Sequence, residues 1–176
     1  MRPVCLVIGA GAGIGGTVGK RFAQEGYHSV LCRRSDEAGL NKLVSQINER
    51  GGEASGFLLN AVDEGSIEEC IAEVESQIGP IEVVVFNLGA QIGNRSLQDT
   101  SYKVFELGWK MATFALFRTA STLFPLMEKR GYLPPPTSAT PVSLDTRIGS
   151  SSILGSCVVE SLSLASEFGT IRIEKP

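Results

Sequence analysis

The sequence predicts an α/β protein: a Rossmann-type, doubly wound parallel sheet that is incomplete in its C-terminal part. Three observations point there. Apolar runs of strand length alternate with amphipathic stretches of helix length as far as residue 86. The first apolar run leads directly into a glycine-rich string and then a helix. The connections between apolar runs are long enough to carry a crossover helix, which parallel strands require.

Residues 4–8 are a continuous apolar run, as expected of a strand covered on both faces. Residues 9–16 read Gly-Ala-Gly-Ala-Gly-Ile-Gly-Gly. The helix that follows should bury Ile14, Val18 and Phe22 and end at Gly26. Residues 29–32 read as the second strand. Residues 36–50 set Leu40, Leu43, Val44 and Ile47 at helical spacing, closed by Gly51-Gly52. Residues 57–59 read as a short third strand. Residues 64–78 place Ile67, Cys70, Ile71, Val74 and Ile78 on one face, and Gly79-Pro80 stops that helix. Residues 81–86 are the fourth strand. Residues 100–127 read as one long helix with Phe105, Trp109, Ala112, Leu116, Ala120, Leu123 and Phe124 on a broad apolar face. Trp109 is expected in the core, and Pro125 is expected to kink or end the helix.

There the alternation breaks. A further central strand is due, but the chain has Gly131-Tyr-Leu-Pro-Pro-Pro136, and consecutive prolines cannot donate to a ladder. Residues 133–152 are expected to be irregular loop, 153–168 helix-like with Leu154, Cys157, Val158, Leu162 and Ala165 spaced for burial, and 171–173 the start of a strand. The 176 residues, 43% hydrophobic and 20% charged, suit one globular domain spanning 1–176 and argue against disorder. Absence of a middle strand is expected to leave the edge of the fourth strand and the final helix exposed, favouring association with a second copy or a partner.

A net charge of −3 gives no basis for nucleic-acid binding. No apolar run approaches the roughly 18 residues that span a bilayer, and the N-terminal run is too short for a signal-peptide core. Cys5, Cys32, Cys70 and Cys157 form no closely spaced pair and read as buried reduced thiols, so the cytoplasm is the expected location. His28, the only histidine, is expected to be structural, which leaves no basis for a His-based metal site or a Ser-His-Asp triad.

Chemistry concentrates in the glycine string. A tight turn between a buried strand and a helix needs residues without side chains, so that a diphosphate can approach the backbone. The helix start then supplies unpaired N–H groups and a favourable dipole. Gly9, Gly11, Gly13, Ile14 and Gly15 are therefore candidate binding residues for a nicotinamide dinucleotide, and Gly11-x-Gly13-x-x-Gly16 also fits the dinucleotide fingerprint, leaving the register open. A site that prefers NAD(H) has an acid at the end of the second strand. Here Arg33 and Arg34 stand there, with Asp36 further on, and guanidiniums suit a 2′-phosphate, so NADP(H) is expected over NAD(H).

With these residues the chain resembles the short-chain dehydrogenase/reductase family. Gly9-x-x-x-Gly13-x-Gly15 is similar to its Thr-Gly-x-x-x-Gly-x-Gly motif, with Ile8 in place of Thr. The sequence Val30-Leu-Cys-Arg-Arg34 is similar to NADP-preferring members, and Phe86-Asn87-Leu88-Gly89 to the Asn-Asn-Ala-Gly motif. The resemblance implies that Asn60 and Ala61 stand where the family has an aspartate that meets the adenine. It also makes Asn87 and Gly89 cofactor-site residues.

The family reduces carbonyls or oxidises alcohols with a helix Asn, a Ser and a Tyr-x-x-x-Lys pair, the Tyr as acid/base and the Lys lowering its pKa. Tyr27, Tyr102 and Tyr132 are followed four residues on by Leu31, Glu106 and Pro136, so that pair is missing. In the register of the final helix its places fall on Ser150 and Leu154. The helix Asn falls near Met111 or Ala112, and the Ser near Ala139, with Ser138 the nearest hydroxyl. No catalytic residue is assigned. Three readings remain open: an NADP(H)-binding relative with weak or no oxidoreductase activity, an active NADPH-dependent carbonyl or alcohol oxidoreductase with a non-standard proton donor, and a truncated non-functional or partner-binding form of a longer dehydrogenase.

Overall fold

The computed structural model describes residues 1–88, 96 and 98–131. In chain order the elements are β1 (Val4–Ile8), α1 (Ile14–Gln24), β2 (His28–Arg33), α2 (Glu37–Asn48), β3 (Glu53–Leu58), α3 (Ser66–Gln77), β4 (Ile81–Phe86), α4 (Tyr102–Trp109), a π turn (Lys110–Phe114) and α5 (Ala115–Lys129). The strands form one parallel sheet in the order β3-β2-β1-β4, with helices on both faces, as the alternation predicts. The expected loop at 133–152, the final helix and the last strand lie outside the described residues.

The period of a strand explains the double covering. In β1, Val4, Leu6 and Ile8 join a core built with Ile67, Ile71 and Val74 of α3 and with Leu116, Leu123 and Met127 of α5. The alternate residues Cys5 and Val7 face the other way, into a core with Ala23 of α1 and Leu40, Leu43 and Ile47 of α2. Between Val4 and Cys5 the pairing with β4 slips by one residue, so Ile81 and Val84 fall on the same side.

Several expectations are corrected. The sheet-facing residues of α1 are Gly15, Gly16, Gly19 and Ala23; Val18 and Phe22 flank the core half-buried, and Ile14 is 52% exposed. Small residues let this helix lie close on β2: a Cβ on Gly19 would come within 2.5 Å of Leu31, and the buried Ser29 hydroxyl donates to the Gly19 carbonyl at 2.7 Å. β3 begins at Glu53, four residues before the expected start. The Asn48 side chain accepts from the Ala54 amide at 2.8 Å, and Gly56 leaves room for Leu40. Intrinsic β-propensity is weak there, and packing decides.

The long helix is interrupted by the π turn. Trp109 is 41% exposed and stacks on Phe114 at 5.2 Å rather than entering the core. Pro125 does not end the helix, which runs on to Lys129. Three cysteines, Cys5, Cys32 and Cys70, are free and buried as expected; Cys157 lies outside the described residues. His28 is structural: its Nε2 meets Ser55 Oγ at 2.8 Å and its Nδ1 faces Glu53 at 3.5 Å, and burial lowers its pKa despite that carboxylate. No helix among the described residues is long and apolar enough to cross a membrane.

Ile67 is wholly buried, whereas Phe117 is 65% exposed. Ile67→Ala should cost about 2–5 kcal/mol, and Phe117→Ala about 0.5 kcal/mol or less. Urea denaturation midpoints at unchanged slope check the contrast.

Candidate functional site

The carboxyl ends of the strands converge on the glycine turn. β1 ends because the amides of Gly9 and Ala10 both donate to the Cys32 carbonyl of β2, at 3.1 and 2.9 Å. Gly9 has φ +96°, a conformation for which glycine is suited. On the other side the Asn87 amide, just past β4, donates to the Ile8 carbonyl at 2.8 Å, and its side-chain Nδ2 donates to the Gly9 carbonyl at 3.0 Å. The turn closes with the Gly16 amide on the Gly11 carbonyl at 3.0 Å, and α1 starts at Ile14 with Gly13 as its N-cap.

The glycines divide into two kinds. A Cβ on Gly15 would come within 2.3 Å of the Gly9 carbonyl and 2.9 Å of Asn87 Nδ2, and one on Gly16 within 2.4 Å of the Gly11 carbonyl. These close the turn. A Cβ on Gly11 or Gly13 would meet no atom within 4 Å, and residues 11–14 are exposed. The space before α1 is thus open, with helix-start amides beside it. This fits a diphosphate, which needs backbone donors and room.

The two arginines differ. Arg33 is drawn inward, its side chain 10% exposed, with Nε donating to the Ala10 carbonyl at 2.6 Å and Nη1 paired with Asp36. Asp36 also caps α2, accepting from the Gly39 amide at 2.9 Å. Arg34 is exposed, and no hydrogen bond or ion pair ties it among the described residues.

After β3, Asn60 Nδ2 donates to Asp63 Oδ1 at 2.9 Å, and Ser66 Oγ donates to the Asn60 carbonyl at 2.7 Å. The Ala61 side chain enters the core, and its carbonyl accepts from Arg118 of α5 at 3.1 Å. Sequence reasoning missed Arg118, which also grips Glu68 through Nε at 2.9 Å and Nη2 at 2.5 Å. The pair is fifty residues apart in the chain, and nothing local signals it. Met111 and Ala112 fall in the π turn. Gly89, Ser138, Ala139, Ser150 and Leu154 lie outside the described residues.

A parallel sheet wound on both faces, with a glycine turn at the end of its first strand, defines a Rossmann-type nucleotide-binding fold. Residues 3–132 match the sequence profile of the short chain dehydrogenases, and the chain belongs to that family. It is similar to the fatty acyl-CoA reductase of Acinetobacter baylyi, 30% identical over 129 residues, 72% of this chain and 43% of that protein. A structure of a variant of actinorhodin polyketide ketoreductase with NADPH superposes with TM-score 0.68 at 28% identity, covering 74% of this chain and 50% of that one. A short-chain dehydrogenase from Rhodopseudomonas palustris superposes with TM-score 0.68 at 33% identity, covering 73% of this chain and 59% of that one. The chain therefore spans about half the length of these relatives.

Gly15→Ala must open the turn and should cost about 1–3 kcal/mol. Gly11→Ala meets no obstacle, and its denaturation midpoint should stay close to that of the unaltered chain. Arg118, chiefly by hydrogen bonding, holds the Glu68 carboxyl below its ordinary pKa. A depressed folded pKa means stability that is present above the unfolded pKa and lost as pH falls through the folded one. Acid denaturation should therefore begin to draw on this pair below about pH 4.3, and Glu68→Gln should flatten that limb of stability against pH.

Proposed function

We propose that this chain is an NADP(H)-binding member of its family with weak or no oxidoreductase activity. The open space at Gly11 and Gly13, ahead of the start of α1 in a turn anchored on the Cys32 carbonyl, carries this reading. Gly9, Ile14, Gly15 and Asn87 shape the turn, Asn60 and Ala61 lie on the adenine side, and Gly89 continues the strand-end motif. The nicotinamide group supplies hydride when bound. The protein side of such chemistry needs a positioned proton donor, worth about 10²–10⁴-fold in rate, and the 176 residues contain no Tyr-x-x-x-Lys.

Preference for the 2′-phosphate rests on Arg34, which is exposed at the end of β2, while Arg33 supports the turn and neutralises Asp36. A structure of the similar actinorhodin ketoreductase holds NADPH, which supports binding of a nicotinamide dinucleotide here. The three buried free thiols suit a reducing cytoplasm. Among the described residues β4 pairs with β1 alone.

Isothermal titration with NADPH should give saturable binding, lost in Gly13→Val, together with little or no NADPH consumption across a panel of aldehydes and ketones. Robust turnover would favour an active oxidoreductase with another donor, and absence of binding would overturn the proposal. Arg34→Ala should weaken NADPH about tenfold or more while leaving NADH nearly unchanged; an unaltered ratio of the two would refute the phosphate role.

A further inference from the structure

We infer that Arg118 is a positioning residue for the adenosine half of the cofactor, an inference that rests on the binding reading above. Arg118 sits on α5, a helix the sequence offers only as core. Its side chain is 12% exposed and bridges three parts of the chain. Nη1 donates to the carbonyls of Ala61 and Asp63, each at 3.1 Å, while Nε and Nη2 form a fork on Glu68 of α3. The segment between β3 and α3 is thereby tied to two helices at once.

Several polar groups of that segment are already engaged. The Asn60 carbonyl accepts from Ser66 Oγ, and the Asp63 carbonyl accepts from both Ser66 Oγ and Arg118. Asn60 Nδ2 is turned onto Asp63. Gly65, with φ +78°, starts α3 without a side-chain cap, so the loop is fixed by its neighbours rather than by its own helix signal. The Leu59 amide, at its start, donates to the Arg33 carbonyl at 2.7 Å, which sets the loop beside the phosphate-side arginines.

A planar guanidinium with five donors can hold two carbonyls and a carboxylate together, and an ammonium cannot reproduce that geometry. Where the family has an adenine-binding aspartate, this chain has Asn60, whose side chain is engaged with its own turn. Fixing the backbone of 60–63 in advance is then what remains to present an ordered surface to the base, and Arg118 does the fixing.

The test compares two probes by calorimetry, at a temperature where every variant is folded. Adenosine 2′,5′-bisphosphate reports on the adenosine side and inorganic pyrophosphate on the glycine turn. Arg118→Gln and Arg118→Lys should each weaken adenosine 2′,5′-bisphosphate about tenfold while leaving pyrophosphate within about twofold. Glu68→Gln, which keeps the carbonyl contacts, should weaken adenosine 2′,5′-bisphosphate less, and it carries the test if neither Arg118 variant folds. Unchanged affinity for adenosine 2′,5′-bisphosphate, or an equal loss for both probes, would overturn the inference, the second because it marks a merely general structural role. Binding of pyrophosphate without adenosine 2′,5′-bisphosphate by the unaltered protein would also overturn it, with the glycine-turn reading intact. Failure of the unaltered protein to bind either probe would sink that underlying reading instead.

Discussion

Two amides on one carbonyl organise this molecule. Because Gly9 and Ala10 both donate to Cys32, β1 cannot continue, and the chain must turn away from the sheet at the level where β2 also ends. Parallel pairing then brings the start of the segment after β3 and the start of the segment after β4 to the same edge: Leu59 donates to Arg33, and Asn87 to Ile8. Every candidate binding residue among the described residues lies along this edge, as expected where the strand order reverses about β1. The side chains matter chiefly by their absence, because the turn's closest approaches, at Gly15 and Gly16, are backbone against backbone.

Much of this was legible in the sequence because the signals were local. Buried parallel strands declare themselves as unbroken apolar runs, and β1 and β4 match their expected limits residue for residue. Helix ends marked by Gly26 and Gly51 appear where left-handed glycines do. Legibility failed where packing overrides composition. The buried face of α1 is made of glycines and an alanine, which carry no hydrophobic signal, so Ile14, Val18 and Phe22 were expected there instead. The start of β3 is held by Asn48 and roofed by Leu40, and neither contact can be read from residues 53–56 alone.

The same distinction separates the two arginines at the end of β2. By type and position they are equivalent, and the sequence supports a joint role. In the fold Arg33 bends back to the Ala10 carbonyl and shares Asp36 with the cap of α2, whereas its neighbour remains exposed. Alternation along a strand end suffices to send one inward and the other out. Arg118 is the opposite case: a charged residue on an otherwise buried helix face, whose purpose emerges only when α3 and the loop before it are brought beside it.

Holding a dinucleotide and moving a proton are separable tasks in this architecture. The groups that shape the turn, from Gly9 to Gly16 with the Cys32 carbonyl and the Asn87 side chain, all fall within the first 88 residues and are bonded to one another. None of these contacts draws on a Tyr-Lys pair, so their geometry does not depend on whether that pair is present. A proton donor, by contrast, must be supplied as a side chain with a tuned pKa at a distance set by other elements. The fold of this turn is therefore independent of the residues that would supply acid/base chemistry. Such a turn is evidence for binding, and catalysis has to be argued from different atoms.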